Sequence, residues 1–119
     1  MLESVARRFR EVAPKATFVA MRLVEERSEK IRVRQDVLEP VERALDMGAM
    51  ITVVDEGGWG YAATSDLSQS GLAEAARRAH EWAREAARRG VVDFSSAGLP
   101  RPTGEYESPV QKPWDSLSL

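Results

Sequence analysis

Gly57-Gly58-Trp59-Gly60-Tyr61-Ala62-Ala63-Thr64-Ser65-Asp66-Leu67-Ser68 is the stretch on which the fold turns. Just before it, Gly48 to Val54 is apolar and β-branched (Met50, Ile51, Val53, Val54) and runs into Asp55-Glu56-Gly57-Gly58. The glycines can take positive φ, so this is a strong turn signal. Trp59 to Thr64 is then the returning strand of a hairpin, and its glycines imply that a neighbouring element comes close to the backbone. A phosphate loop is the competing reading of Gly57-Gly58-Trp59-Gly60. It lacks the required lysine and hydroxyl, and strand rather than helix follows it. Ser65, Asp66 and Ser68 read as capping residues, because no base accompanies them as a nucleophile would need.

Downstream, Asp66 is the expected N-cap of a helix, with Gln69 three residues on in capping-box spacing. The helix is expected to run to about Arg89 along a small-residue stripe of Leu72, Ala75, Ala76, Ala79, Trp82, Ala83 and Ala86, and alanine lets its axis lie close to a sheet. Arg84, Arg88 and Arg89 suit the negative end of the helix dipole, and Gly90 can terminate it. Val91 to Leu119 holds four of the six prolines and no long periodic segment. It reads as an extended arm or linker, and the natural chain is expected to continue beyond it.

Upstream, Leu2, Val5, Ala6, Phe9, Val12 and Ala13 share one helical face, and Pro14 closes that helix. From Lys15 the period becomes two: Thr17, Val19, Met21 and Leu23 alternate with Phe18, Ala20, Arg22 and Val24. Glu25-Glu26-Arg27-Ser28 reads as a polar break. Ile31, Val33 and Gln35 alternating with Lys30, Arg32 and Arg34 then read as a second, half-exposed strand of a hairpin. Over Gln35 to Asp46 the apolar residues fit a helix about as well as a bulged strand. Pro40 suits neither interior, and an edge strand is expected. The whole is an α+β domain over residues 1–90: an antiparallel sheet of hairpins against an N-terminal and a C-terminal helix, followed by the arm 91–119.

Composition narrows the function. With 119 residues, 43% hydrophobic and 30% charged, the chain can bury a core without metal or disulfides, and it has no cysteine for either. A net charge of −2 argues against direct nucleic-acid contact. No stretch is long enough for a membrane span, and the N-terminus has no apolar signal core, so a cytoplasmic location is expected. The sole histidine, His80, is followed by Glu81, as in a zinc-peptidase helix. Arg84 and Glu85 stand four and five residues on where a second histidine would be needed. The sequence therefore offers neither a catalytic nor a metal residue. Lys30, Arg32 and Arg34 form a basic strip suited to a carboxylate or acidic partner, and Trp114 in the arm can anchor to another domain; these four are the candidate partner-binding residues. Otherwise the strip is a solvated face, and Trp59, Trp82 and Trp114 are packing residues.

Ala16-Thr17-Phe18-Val19-Ala20-Met21-Arg22, Ser28-Glu29-Lys30-Ile31-Arg32-Val33-Arg34, Gly48-Ala49-Met50-Ile51-Thr52-Val53, the Gly57–Ser68 stretch and the alanine-spaced helix follow one another in an order and spacing that resembles the N-terminal domain of the TldD/PmbA family, also called modulators of DNA gyrase. The resemblance covers about residues 1–90. It implies a much longer cytoplasmic zinc-dependent peptidase acting on peptides or unfolded proteins, and a dimer with a second TldD/PmbA-type subunit, of the same or a different kind. The family's catalytic His-Glu-x-x-x-His helix would lie downstream of this chain, so no cofactor is expected here and zinc only in the full-length protein. The domain itself would help form the dimer and wall the active-site chamber. A stand-alone interaction module using Lys30–Arg34 is the alternative from another class. Direct regulation of a DNA enzyme is a third reading, which the charge disfavours.

Overall fold

A computed structural model describes residues 1–117. Its centre is a three-stranded antiparallel sheet in the order β1 (Phe18–Lys30), β4 (Glu42–Asp55), β5 (Gly58–Thr64). The helices α1 (Leu2–Val12) and α2 (Gln69–Arg89) lie over one side of it, as the α+β reading requires. Register brings Met21, Ile51 and Ala62 side by side, with Val19 beside Val53 and Leu23 beside Ala49. These residues pack with Leu72, Ala75, Ala76, Ala79 and Ala83 of α2 and with Val5 and Phe9 of α1 into one core. The period of two in the strands and of 3.6 in the helices thus meet along a single apolar seam.

Close approach of α2 depends on both partners being small. A Cβ on Gly58 would run into the backbone of Ala83 and Ala87, and one on Gly60 into the backbone of Ala79, Trp82 and Ala83. The expectation that β5's glycines mark a close neighbour is met by α2 itself. The β4–β5 turn places Glu56 at φ 51° and Gly57 at φ 81°, the left-handed pair that a tight hairpin needs. Pro14 ends α1 as expected: Ala13, the residue before it, is already extended (φ −60°, ψ 130°).

Several boundaries differ from the sequence reading. Glu25-Glu26-Arg27-Ser28 is not a break, because β1 runs unbroken through it and pairs with Met47 back to Ala44 of β4. Both faces of this ribbon meet water, so it needs no apolar alternation, and its polarity mimics a loop. Directly opposed charges support it instead: Glu29 on Arg43 at 2.7 Å and Lys30 on Glu42 at 3.7 Å. The hairpin turn lies further on. Gln35 and Asp36 at φ 50° and 62° join the short strands β2 (Val33–Arg34) and β3 (Val37–Leu38). Lys30, Arg32 and Arg34 therefore do not share one strand. Nor is Gln35–Asp46 one edge strand, since Glu42 to Asp46 begins the central strand β4.

At the other end of β5 the N-cap of α2 is Ser68 rather than Asp66. Ser68 Oγ accepts from the Gly71 N–H (3.1 Å), and Asp66 Oδ1 accepts from the Ser68 N–H (3.0 Å). Hydrogen bonding from the Ser68 side chain and then its N–H holds the Asp66 carboxyl below its usual range. Gln69 is the first residue of the helix, and its amide donates to Glu11 of α1, while the Arg8 guanidinium donates to Leu67 O. Trp82 is exposed, outside the buried stripe.

Candidate functional site

The largest structural feature left over from core formation is the ribbon. β5 pairs with β4 only from Ala49 onward, whereas β1 and β4 stay paired from Val24↔Gly48 to Lys30↔Glu42. Seven residue pairs therefore project past the rest of the sheet, about 23 Å at the rise of an antiparallel strand. The molecule is accordingly elongated, at 60 × 31 × 29 Å. Ile31, Val33, Val37 and Leu38 at the tip and Leu45 along the shaft are exposed. Lys30 closes β1, Arg32 sits in the bend where its carbonyl accepts from the Glu39 N–H (2.9 Å), and Arg34 lies in β2. Trp114, in a single 3₁₀ turn at Trp114–Ser116, lines a groove with Arg27, Glu29, Arg43 and Leu45 of the ribbon. The four candidate partner-binding residues thus come to one projection, although Trp114 stands eighty positions from Arg34. Its groove was not legible in the sequence, since nothing local links the arm to the ribbon.

The sheet face turned away from α2 is the second surface. Arg22, Val24, Glu26, Asp46, Met50 and Ala63 line an open groove of about 540 Å³ across the three strands. Beyond it, Val54 is fully buried beside its register partners Phe18 and Trp59. Trp59 meets Phe94 edge-on, with ring centroids 5.4 Å apart. Phe94 is held there because its N–H donates to Gly57 O (2.9 Å), and the Asp93 carboxylate packs against Gly57, which sits at φ 81°. The first residues after α2 are thus tied to the β4–β5 turn. At the outer side of β5, Tyr61 and Trp82 form with Trp59 an exposed aromatic patch beside Glu85 and Arg89, which the sequence reading missed by counting Trp82 as core.

Among the described residues His80 has one polar partner. Its Nε2 lies 2.6 Å from Asp55 Oδ2, and both side chains are mostly buried. The pair ties the middle of α2 to the end of β4. Hydrogen bonding to His80 holds the Asp55 carboxyl below its ordinary value of 3.8 against the opposing effect of burial; the charges of His80 and Arg84 and the Glu56 N–H add to the depression. Zinc does not fit these residues. The imidazole nitrogen and the carboxylate oxygen are spent on each other, an arginine stands nearby, and no cluster of three ligating side chains occurs among the described residues. The pair acts as a structural clasp with a definite acid signature. A carboxylate whose folded pKa is depressed adds stability above its unfolded value and loses it as pH falls through the folded one. Asp55→Asn is expected to cost about 1 kcal/mol near neutrality. Below about pH 4 the parent's stability should fall more steeply than the variant's, in urea titrations taken across that range. Parallel profiles would remove the clasp.

No helix of the described residues is long and apolar enough to cross a membrane. Residues 19–83, from β1 into α2, match the family model described as PmbA/TldA metallopeptidase domain 1. No curated protein matches the chain.

Proposed function

Because the chain belongs to the PmbA/TldA metallopeptidase family through its first domain, we propose that it is the non-catalytic N-terminal part of a cytoplasmic, zinc-dependent peptidase acting on peptides or unfolded proteins. The family match over β1, β4, β5 and most of α2 carries this reading. In it, the domain helps hold a second TldD/PmbA-type subunit and walls the chamber around an active site supplied elsewhere in the full-length protein, which would bind the zinc. A wall needs rigid elements with little chemistry of their own, and the alanine–glycine seam between α2 and β5 is such a support. The ribbon, with Lys30, Arg32, Arg34 and Trp114, is the element we assign to partner contact, and the groove at Arg22, Val24 and Met50 is the face we assign to the chamber side.

The test is the intact mass of the native protein from its source cells, with metal determined on the same sample. A mass several times 13.2 kDa with bound zinc supports the reading. A mass near that value without metal overturns it and leaves an interaction module centred on the ribbon. The 119-residue chain alone is expected to hydrolyse no unfolded casein and to retain no stoichiometric zinc after dialysis. Chelator-sensitive hydrolysis by it would place chemistry in this domain and refute the non-catalytic role.

A further inference from the structure

The outer edge of β1 pairs with no strand among the described residues, and over the ribbon this edge is backed only by β4. A free edge of this kind invites a further strand, and a two-stranded ribbon is marginal until one is added. The charges along the edge restrict which strand. Glu26-Arg27-Ser28-Glu29-Lys30 is self-complementary when set antiparallel against itself about a twofold axis at Ser28. Glu26 then opposes Lys30 of the other copy, Arg27 opposes Glu29, Ser28 opposes Ser28, and the first two pairs recur by symmetry. A slip by one residue either way puts Glu26 on Glu29 or Arg27 on Lys30, and the opposite-charge pair each slip gains, Glu25 with Lys30 or Glu25 with Arg32, only offsets that repulsion. Directly opposed residues of an antiparallel pair share a face, so all four ion pairs are within side-chain reach. Arg27 also holds Glu25 and Glu29 also holds Arg43 across the ribbon, at 2.7 Å each, so pairing at the edge would add a second partner to side chains that are already charge-paired.

We propose that this edge is a homotypic interaction site: two copies of the chain join β1 to β1 across Glu26–Lys30, making a four-stranded ribbon from two hairpins. The inference rests on the assembly role proposed above and names its surface and its partner, a second copy. Charged edges more commonly serve to repel stray strands. Here the same charges favour one register, while in the adjacent ones attraction and repulsion cancel.

Sedimentation of the 119-residue chain over a concentration series tests this, together with a disulfide trap in a sequence that has no cysteine. Ser28→Cys is expected to give a covalent dimer under mild oxidation, and Arg7→Cys on the exposed face of α1 is not. Glu26→Lys or Lys30→Glu each sets like charges opposite at two symmetric positions and should weaken the dimer about tenfold. The variant Glu26→Lys/Lys30→Glu, made with Glu42→Lys so that residue 30 keeps an opposite charge across its own ribbon, restores opposite charges at the edge and should recover the parent affinity, which a folding defect would not do. A dimer indifferent to the single reversals, or one the compensated variant fails to restore, overturns this edge and leaves the assembly role to another surface. A chain that stays monomeric, with no Ser28→Cys cross-link, overturns the edge and removes homotypic assembly from this domain.

Discussion

Gly60→Ala is expected to destabilise the domain by about 3 kcal/mol, a large part of the total for a chain of this size. The added methyl would fall inside the backbone of Ala79, Trp82 and Ala83, and α2 cannot yield there without lifting off β5. Flexible side chains can swing away from an added methyl, whereas a helix backbone anchored at Ser68 and clasped at His80 cannot. Gly58→Ala, which meets Ala83 and Ala87, should behave alike. Gly98→Ala is the control, because nothing lies within 4 Å of its position. It should stay within about 0.5 kcal/mol of the parent. Urea midpoints decide the matter: a Gly60→Ala protein as stable as the parent would mean that α2 does not sit on β5 as described.

The other large effect is expected at the centre of the sheet. Ile51 is fully buried on the central strand, with Met21 and Ala62 beside it and the alanines of α2 above. Ile51→Ala should cost about 3 kcal/mol, the transfer of the lost methyls plus the cavity left under a helix that cannot collapse into it. Met50, one residue earlier, points to the other face and is 38% exposed. Met50→Ala should cost less than about 1 kcal/mol. This contrast tests the register directly, since a slip of β4 by one residue would exchange the two outcomes. It also bears on function: a Met50 variant that folds normally is the tool for asking whether the open sheet face carries the proposed chamber wall.

Much of the architecture was legible from local signals. The apolar spacing of Leu2 to Ala13, the Asp55–Gly58 turn and the alanine stripe ending at Gly90 are local rules, each spanning a few turns or strand residues, and each element formed where its pattern lay. The glycines of β5 even announced the helix that covers them. The ribbon was less legible. Glu25 to Ser28 has the composition of a loop, and it is a strand because Ala44 to Met47 lie beside it. The turn at Gln35-Asp36 lacks the glycine that usually marks paired positive φ angles, so nothing local signals it.

The candidate surfaces divide in the same way. Lys30, Arg32 and Arg34 stand out as basic residues in the chain, but their place at the end of a projection is a property of pairing across the β1–β4 ribbon. His80 has no meaning as a neighbour of Glu81; its partner Asp55 is twenty-five residues away and is brought to it by α2 lying along the sheet. Trp114 lies against the ribbon although the chain after Gly90 is first tied to Gly57, beyond the opposite end of β4. Periodicity, turns and small-residue stripes therefore belonged to the sequence, because they depend on residues within one or two turns of one another. Strand continuity through polar residues, the histidine clasp and the meeting of arm and ribbon belonged to the tertiary structure, because their stabilising partners are distant in the chain and leave no periodic trace in it.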